Sequence, residues 1–122
     1  MKTLQTDKAP AAVGPYSQAI VTNHLVFVSG QIGILPQTGE LAEGLAAQTE
    51  QAIKNVGEIL RAAGLDYGNV VKTTCFLSDI GDFSAFNDIY EKYFIGRPAR
   101  SLIQAAALPK GALVEVEAIA ER

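Results

Sequence analysis

The spacing of apolar residues changes several times along the chain, and each change predicts a different structural element. Residues 17–21 and 25–29 are short runs that contain Val, Ile and Phe, which favour strands. Polar residues 22–24 separate the two runs, so together they predict a β-hairpin. Residues 30–43 contain the turn residues Gly33, Pro36, Thr38 and Gly39 and predict a loop.

Two longer stretches have helical spacing. Residues 46–63 predict a helix that stops at Gly64, a residue suited to the turn after a helix. The apolar face of this helix is formed by Ala52, Ile53, Val56, Ile59, Leu60 and Ala63. Residues 83–94 predict a second helix with Asp82 as its N-cap. The apolar face of the second helix is formed by Phe83, Phe86, Tyr90 and either Tyr93 or Phe94.

Three further strands are predicted at 69–78, 99–106 and 113–121, with a turn at 108–111 between the last two. The element order is therefore β-β-α-β-α-β-β. Right-handed crossovers place both helices on the same face of one mixed sheet. We expect an α+β fold, a sandwich of two layers in which one face of the sheet stays uncovered.

The uncovered face predicts an oligomer. The stretches 25–28 and 100–106 carry apolar residues at consecutive positions instead of alternate ones. Strands of that kind are usually buried on both faces. Since the helices cover only one face, we expect the other to pack against further copies of the chain in a closed dimer or trimer.

Composition narrows the class of protein. With 122 residues the chain is expected to form a single domain over 1–122. The net charge is −3 and no cluster of Lys or Arg is present, which makes nucleic acid an improbable partner. No stretch is apolar enough for a signal peptide or a membrane span, so we expect a cytoplasmic protein with no membrane partner.

Several kinds of catalytic site are excluded by the residue inventory. His24 and Cys75 are the only histidine and cysteine, so no cluster has metal-ligand spacing and no disulfide can form within the chain. His24 lies in a predicted turn, which argues against a catalytic triad. No glycine-rich phosphate loop is present. Cys75 lies mid-strand and is expected to be a small buried residue.

Arg100 is the strongest candidate for chemistry. It begins a strand that is otherwise apolar, and arginine is seldom buried without a partner. A guanidinium group matches a carboxylate in two parallel hydrogen bonds. Composition alone leaves two interpretations open: a structural ion pair at the strand end, or a grip on a ligand carboxylate.

Glu115 and Glu117 are two residues apart in the last strand and point to the same side of the sheet. They form either a solvated face or a site in which one carboxylate orients a water molecule. Tyr16 follows the Pro- and Gly-rich segment 9–15, and its hydroxyl could reach a pocket. Asn87 lies mid-helix, where asparagine is unfavourable unless it is exposed or specifically bonded.

The motifs that carry chemistry resemble those of the RidA (YjgF) family. The resemblance extends from about residue 8 to the end of the chain. The matching segments are GPYSQA at 14–19, SGQI at 29–32, TGE at 38–40, KTTCFL at 72–77, RPARS at 97–101, LPK at 108–110 and VEVEAIA at 114–120.

This resemblance implies a chorismate-mutase-like fold and a homotrimer whose active sites lie between subunits. It also implies hydrolysis of reactive 2-imino acids, such as 2-iminobutanoate, 2-iminopropanoate and their enamine tautomers, to 2-oxo acids and ammonia. The imines escape from pyridoxal-phosphate enzymes and damage them when they accumulate. No cofactor and no metal are implied.

The resemblance also assigns roles to residues. Arg100 matches the arginine that binds the substrate carboxylate, and Glu115 matches the glutamate that positions the attacking water. The predicted substrate-binding set, including backbone contacts, is Tyr16, Ser29, Gly30, Ile32, Gly33, Asn87, Arg100 and Leu102. Two features depart from the family pattern: Leu102 replaces a common cysteine, and the 94–98 connection is short.

Two other functions remain compatible with the sequence. The same cleft could bind a 2-oxo acid without catalysis, because a fold does not fix a function. Some relatives are associated with endoribonuclease activity, but the negative charge and the lack of a catalytic histidine argue against it here.

Overall fold

Two helices lie on one face of a mixed six-stranded sheet in the computed structural model, which describes all 122 residues. The helices are α1, Leu45–Ala62, and α2, Phe83–Tyr93. The strands are β1 Lys2–Leu4, β2 Ala19–Val21, β3 Leu25–Ile32, β4 Val70–Leu77, β5 Ala99–Gln104 and β6 Val114–Glu121. The predicted two-layer α+β architecture is confirmed.

The strands are arranged in the order β1-β2-β3-β6-β4-β5. Only β4 and β5 are parallel, and α2 forms the crossover between them. The C-terminal strand β6 lies at the centre, between β3 and β4. A register shift interrupts the pairing of β3 with β6 between Val28 and Gln31. Ser29 and Gly30 occupy this bulge, which changes the direction of the strand beside Glu115.

The core lies between the sheet and the helices. The predicted α1 stripe is buried: Ala52, Ile53, Val56, Ile59 and Leu60 have no exposed surface. Gly64 adopts a left-handed φ of 79° and ends α1 as predicted. Its N–H bonds the Arg61 carbonyl, while the N–H of Leu65 reaches back to Leu60. This pair of bonds satisfies carbonyls at the end of the helix and turns the chain towards β4.

Three local predictions were wrong, and a fourth was correct only in position. The strand Lys2–Leu4 was missed, because three residues show no period and its partner β2 orders it through the backbone. Strand β3 continues through the bulge to Ile32 instead of ending at Ser29. Asp82 is the N-cap residue of α2 as predicted, but its side chain makes no capping hydrogen bond. Asp79 accepts from the Gly81 N–H in the 3-10 turn that precedes α2. Phe83 is 47% exposed and lies outside the buried face of α2.

The sheet face opposite the helices carries a row of mainly apolar side chains. Phe27 is the Cα partner of Ile20 and of Ile119 in the neighbouring strands. Phe27 and Ile103 are 41% and 50% exposed on this face. Glu117 also lies there, opposite Thr74. Exposed aromatic and aliphatic residues on one uncovered face are typical of a protein–protein contact.

Candidate functional site

Arg100 lies at the start of β5 and points to the helix side of the sheet. Its Nη1 donates a 2.7 Å hydrogen bond to Asn87 Oδ1 on α2. The guanidinium carbon lies 4.8 Å from the centroid of the Tyr90 ring, also on α2. Asn87 and Tyr90 are three residues apart and share one helix face. Sequence-distant strand and helix positions therefore converge on one guanidinium group.

The Arg100 guanidinium has no carboxylate partner within the chain. The two ion pairs of the structure, Lys54–Glu50 and Arg61–Glu58, both lie on α1. Arg100 instead lines a cavity of about 300 Å³. The structural ion pair considered from the sequence is thus absent, and the group is free to bind an anion. The cavity is lined by Asn87, Tyr90, Glu91, Phe94, Arg97, Pro98 and Arg100.

Glu115 lies in β6 on the opposite face of the sheet, between two apolar neighbours. Its Cα partners are Ile32 in β3 and Phe76 in β4. Burial against these neighbours raises the pKa of the Glu115 carboxyl, and the charge of Glu117 raises it further. A carboxylate of this kind is a better proton acceptor than an exposed glutamate.

A second cavity of about 300 Å³ opens beside Glu115. Its walls come from the N-terminal loop, the bulge of β3 and the turn before β6. The residues that combine polar groups with access to this cavity are Tyr16, Gln18, Gly30, Gln31, Lys110 and Glu115. Tyr16 is half exposed, so its ring is available at the rim. This cavity resembles a small-molecule pocket in its mixture of apolar walls and few polar groups.

Two positions of the predicted site, Gly30 and Gly33, require glycine for different structural reasons. A Cβ at Gly30 would lie 2.2 Å from Glu115 Oε2, so glycine leaves room for the carboxylate beside the bulge. A Cβ at Gly33 would lie 2.6 Å from the backbone of Gln48 in α1. Gly33 lines neither cavity and permits close packing of the loop against the helix. Gly30 therefore affects the carboxylate, whereas Gly33 affects the fold.

We expect Gly30→Ala to reduce activity with little loss of stability, because the displaced group is the end of a flexible side chain. Gly33→Ala is expected to lower the free energy of unfolding by about 1–3 kcal/mol, because backbone atoms must move. Urea denaturation and steady-state kinetics on both variants measure the two effects. Equal destabilisation by both alanines would contradict this distinction.

Arg100 and Glu115 point to opposite faces of the sheet in one chain. Arg100 is the Cα partner of Thr73, whereas Glu115 is the partner of Phe76. Thr73 and Phe76 are separated by three positions of β4 and so face opposite sides. The two cavities also share no residue. A single chain therefore cannot bring the two groups onto one small substrate.

The other predicted site residues are distributed unevenly. Asn87 lies in the Arg100 cavity, while Tyr16 and Ile32 line the Glu115 cavity. The hydroxyl of Ser29 donates to the Ser17 carbonyl at 2.6 Å and lines neither cavity. Leu102 packs against the hydrophobic core beside Cys75. Roles for the backbone of Leu102 and for Ser29 stay predictions.

Cys75 is fully buried in β4, as expected from the sequence. Burial raises the pKa of its thiol to about 11, so the thiolate form is scarce at neutral pH. His24 is exposed in the hairpin turn and contributes to neither cavity. Neither residue is placed to act as a nucleophile or base at the two cavities.

Five lining residues of the Arg100 cavity were not among the predicted site residues: Tyr90, Glu91, Phe94, Arg97 and Pro98. Tyr90 was assigned to the apolar stripe of α2, although its position three residues after Asn87 placed it on the same face as a candidate site residue. Arg97 lies in the short 94–98 connection with a left-handed φ of 52° and borders the cavity. No spacing rule identifies a left-handed arginine in advance, because non-glycine residues seldom adopt that region.

Comparisons with known proteins identify the family and the fold of the chain. The family model described as Endoribonuclease L-PSP matches residues 6–122. A rat protein named 2-iminobutanoate/2-iminopropanoate deaminase is 55% identical over 121 residues, which cover 98% of this chain and 88% of the relative. A RidA structure from Psychrobacter has a TM-score of 0.97 at 46% identity, with 100% of both chains covered. A structure of Escherichia coli TdcF with bound serine has a TM-score of 0.96 at 41% identity and covers 100% of this chain and 99% of that one. The chain therefore belongs to the Endoribonuclease L-PSP family, which includes the YjgF and RidA proteins.

Proposed function

We propose that this protein is an imine and enamine deaminase. It hydrolyses 2-imino acids such as 2-iminobutanoate and 2-iminopropanoate to 2-oxo acids and ammonia. The observation that carries the proposal is the position of the Arg100 guanidinium. This group borders a cavity and forms no ion pair with a carboxylate of the chain. The names of relatives such as the rat deaminase support it.

The chemistry needs positioning more than a strong nucleophile. A protonated imine carbon is already electrophilic, so water can add to it directly. Arg100 binds the substrate carboxylate through charge-assisted hydrogen bonds and fixes the imine carbon in place. Glu115 accepts a proton from the attacking water, and its raised pKa suits the return of that proton to the departing nitrogen. As the C–N bond breaks, the hydroxyl group derived from water gives its remaining proton to Glu115 and becomes the 2-oxo group. Ammonia leaves and carries that proton away as ammonium, which restores the Glu115 carboxylate.

The active site in this proposal lies between subunits of a homotrimer. Arg100 of one subunit and Glu115 of its neighbour face the same substrate. The support is that the two groups lie on opposite faces of the sheet within a chain. The exposed apolar row that includes Phe27 and Ile103 supplies a surface for the contact between copies.

Phe27→Asp is expected to dissociate the oligomer and to abolish turnover, because a charge would enter the apolar contact without a partner. Ile80→Asp is the control, since Ile80 is similarly exposed at 46% but lies in the turn before α2. Light scattering after gel filtration should give a mass three times that of the chain for the control and one chain for Phe27→Asp. A Phe27→Asp protein that stays trimeric would contradict this role of the face.

A coupled assay tests the proposed activity. An amino-acid oxidase generates a defined imino acid, and release of the 2-oxo acid is followed with and without the protein. The expected result is acceleration above the uncatalysed hydrolysis rate that scales with protein concentration. Binding of 2-oxobutanoate by calorimetry with no acceleration would instead favour a metabolite-binding module. RNA cleavage lost in Arg100→Ala would favour the ribonuclease activity that the family description names.

The proposal places the protein in the cytoplasm, where it protects pyridoxal-phosphate enzymes from free imines. A single buried thiol is compatible with a reducing compartment. No helix of the structure combines the length and apolar character that a membrane crossing needs. Cell fractionation with an antibody against the chain tests the location.

A further inference from the structure

Helix α2 holds the Arg100 guanidinium from two directions. Asn87 Oδ1 accepts from Nη1 at 2.7 Å and contacts an edge of the planar group. The Tyr90 ring lies under the group, with Cζ 4.8 Å from the ring centroid. An edge contact and a face contact restrict different rotations of the side chain. The other guanidinium N–H groups make no hydrogen bond within the chain and remain available to a carboxylate.

Tyr90 is itself held firmly. Its side chain is nearly buried, and its ring stacks on Phe94 with the centroids 4.5 Å apart. Phe86 lies beside the same ring in a tilted arrangement, with the centroids 5.5 Å apart, so this contact is looser than the stack on Phe94. The Tyr90 hydroxyl shares a 2.7 Å hydrogen bond with the hydroxyl of buried Thr73. The ring therefore forms a fixed surface beneath a cation that would otherwise be flexible.

Thr73 connects this surface back to the arginine. It is the Cα partner of Arg100 in the parallel pair of β4 and β5. The ring beneath the guanidinium is thus anchored to the residue beside Arg100 in the sheet. Thr73, Tyr90 and Arg100 form a compact unit that joins the helix layer to the sheet at the cavity.

We propose that Tyr90 is a positioning residue for Arg100. The ring attracts the cation through its quadrupole and orients the free donors towards the substrate carboxylate, while Thr73 fixes the ring. The inference rests on the proposed role of Arg100 in carboxylate binding. A side chain that is ordered in advance loses less freedom when the ligand binds, so Tyr90 acts on affinity more than on the chemical step.

Tyr90→Leu removes the ring, and Phe86→Leu is its matched control. Phe86 is a fully buried aromatic residue of the same helix. It packs against Tyr90 but makes no cation–π contact with the guanidinium. Relaxation of the Arg100 Nε–H group by NMR reports the order of the side chain without reference to activity. We expect the order parameter to fall below about 0.6 in Tyr90→Leu and to stay near the rigid value in Phe86→Leu.

The functional readout is affinity for a carboxylate ligand. Tyr90→Leu should raise the KM for 2-iminopropanoate and the Kd for 2-oxobutanoate about tenfold, a change of about 1.4 kcal/mol, with kcat altered less than about threefold. Tyr90→Phe retains the ring and should keep both constants within about threefold of the unaltered protein. Rescue by phenylalanine is the outcome that a ring-based role requires.

A second substitution keeps the test decisive if Tyr90→Leu does not fold. Pentafluorophenylalanine at position 90 keeps the shape of phenylalanine and reverses the ring quadrupole, so it should weaken binding relative to Tyr90→Phe. Equal affinities for these two rings, or equal losses in Tyr90→Leu and Phe86→Leu, would overturn the proposal. If the unaltered protein binds 2-oxobutanoate but does not hydrolyse imines, the proposed function fails and the Tyr90 test still applies. If the unaltered protein neither binds 2-oxobutanoate nor hydrolyses imines, the proposed function and the proposed role of Tyr90 both fail.

Discussion

Arg100→Ala is expected to lower kcat/KM for 2-iminopropanoate by about 10²- to 10³-fold while the oligomer stays intact. The guanidinium is the only cation bonded to Asn87 and stacked on Tyr90 in its cavity, and it has no carboxylate partner in the chain. Loss of a charge-assisted, two-point contact with the substrate carboxylate costs about 3–4 kcal/mol in transition-state binding. Steady-state kinetics and light scattering on the same samples measure both properties.

The control for this variant is Arg122→Ala. The Arg122 guanidinium donates to the Thr22 carbonyl at the far end of the sheet and borders neither of the two site cavities. We expect its kcat/KM to stay within about twofold of the unaltered protein. Arg100→Lys should recover part of the lost activity, because lysine keeps the charge but not the planar fork. Unchanged hydrolysis by Arg100→Ala would remove Arg100 from the reaction.

Glu115→Gln is the second large effect, with kcat expected to fall by about 10²- to 10³-fold. The amide cannot accept a proton from water, and general-base contributions have about this size. Affinity for 2-oxobutanoate should change little, because in the proposed site the carboxylate of the ligand is bound by Arg100. Stability should not fall, since burial already disfavours the ionised form of Glu115. Single-turnover kinetics and calorimetry separate the chemical step from binding.

Glu117→Gln is the matched control for Glu115→Gln, and it also tests the cause of the raised pKa of Glu115. Glu117 lies two positions along the same strand face and raises the pKa of Glu115 through its charge. The unaltered enzyme should lose activity as pH falls through the raised pKa of Glu115, because the protonated acid cannot accept a proton. Without the neighbouring charge that pKa falls, so the acidic limb of the pH–rate profile should move to lower pH. A limb that stays in place would contradict the assignment of Glu115 as the base.

Helices and central strands of this fold could be predicted because each carries a periodic signal. The α1 stripe around Ile53, Val56 and Leu60 and the stop at Gly64 were confirmed. The prediction of strands failed where a strand is ordered by pairing with a neighbouring strand or continues through a bulge. Lys2–Leu4 becomes a strand only because β2 offers a free edge, and β3 continues through the bulge at Ser29 and Gly30.

Candidate site residues could be named from the sequence, but their arrangement in space could not. Arg100 and Asn87 were candidates from the sequence. The hydrogen bond between them could not be predicted, because it depends on how the crossover helix α2 packs beside β5. Placement of Arg100 and Glu115 on opposite faces follows from the register of β5 and β6 against β4. Register is a tertiary property, since a slip of one residue would reverse the face of every side chain.

Leu102 shows why a role cannot be assigned to a residue from its position in a family motif alone. The family resemblance leads to the expectation of a cysteine at this position, and here the leucine packs on the core beside Cys75. Its side chain carries no titratable or nucleophilic group, so oxidation of a thiol at this position cannot tune this protein. Any hydrogen bond that Leu102 makes to a ligand must come from its backbone.

The most direct measurement is complementation between two inactive variants. Arg100→Ala and Glu115→Gln subunits, each with a different affinity tag, are coexpressed, and mixed trimers are purified through both tags. If each site takes Arg100 from one subunit and Glu115 from the next, every mixed trimer contains one intact site, whichever variant is in excess. The predicted kcat per trimer is therefore about one third of the unaltered value. Mixed trimers no more active than the two parent variants, beside an active unaltered trimer, would contradict a site shared between subunits.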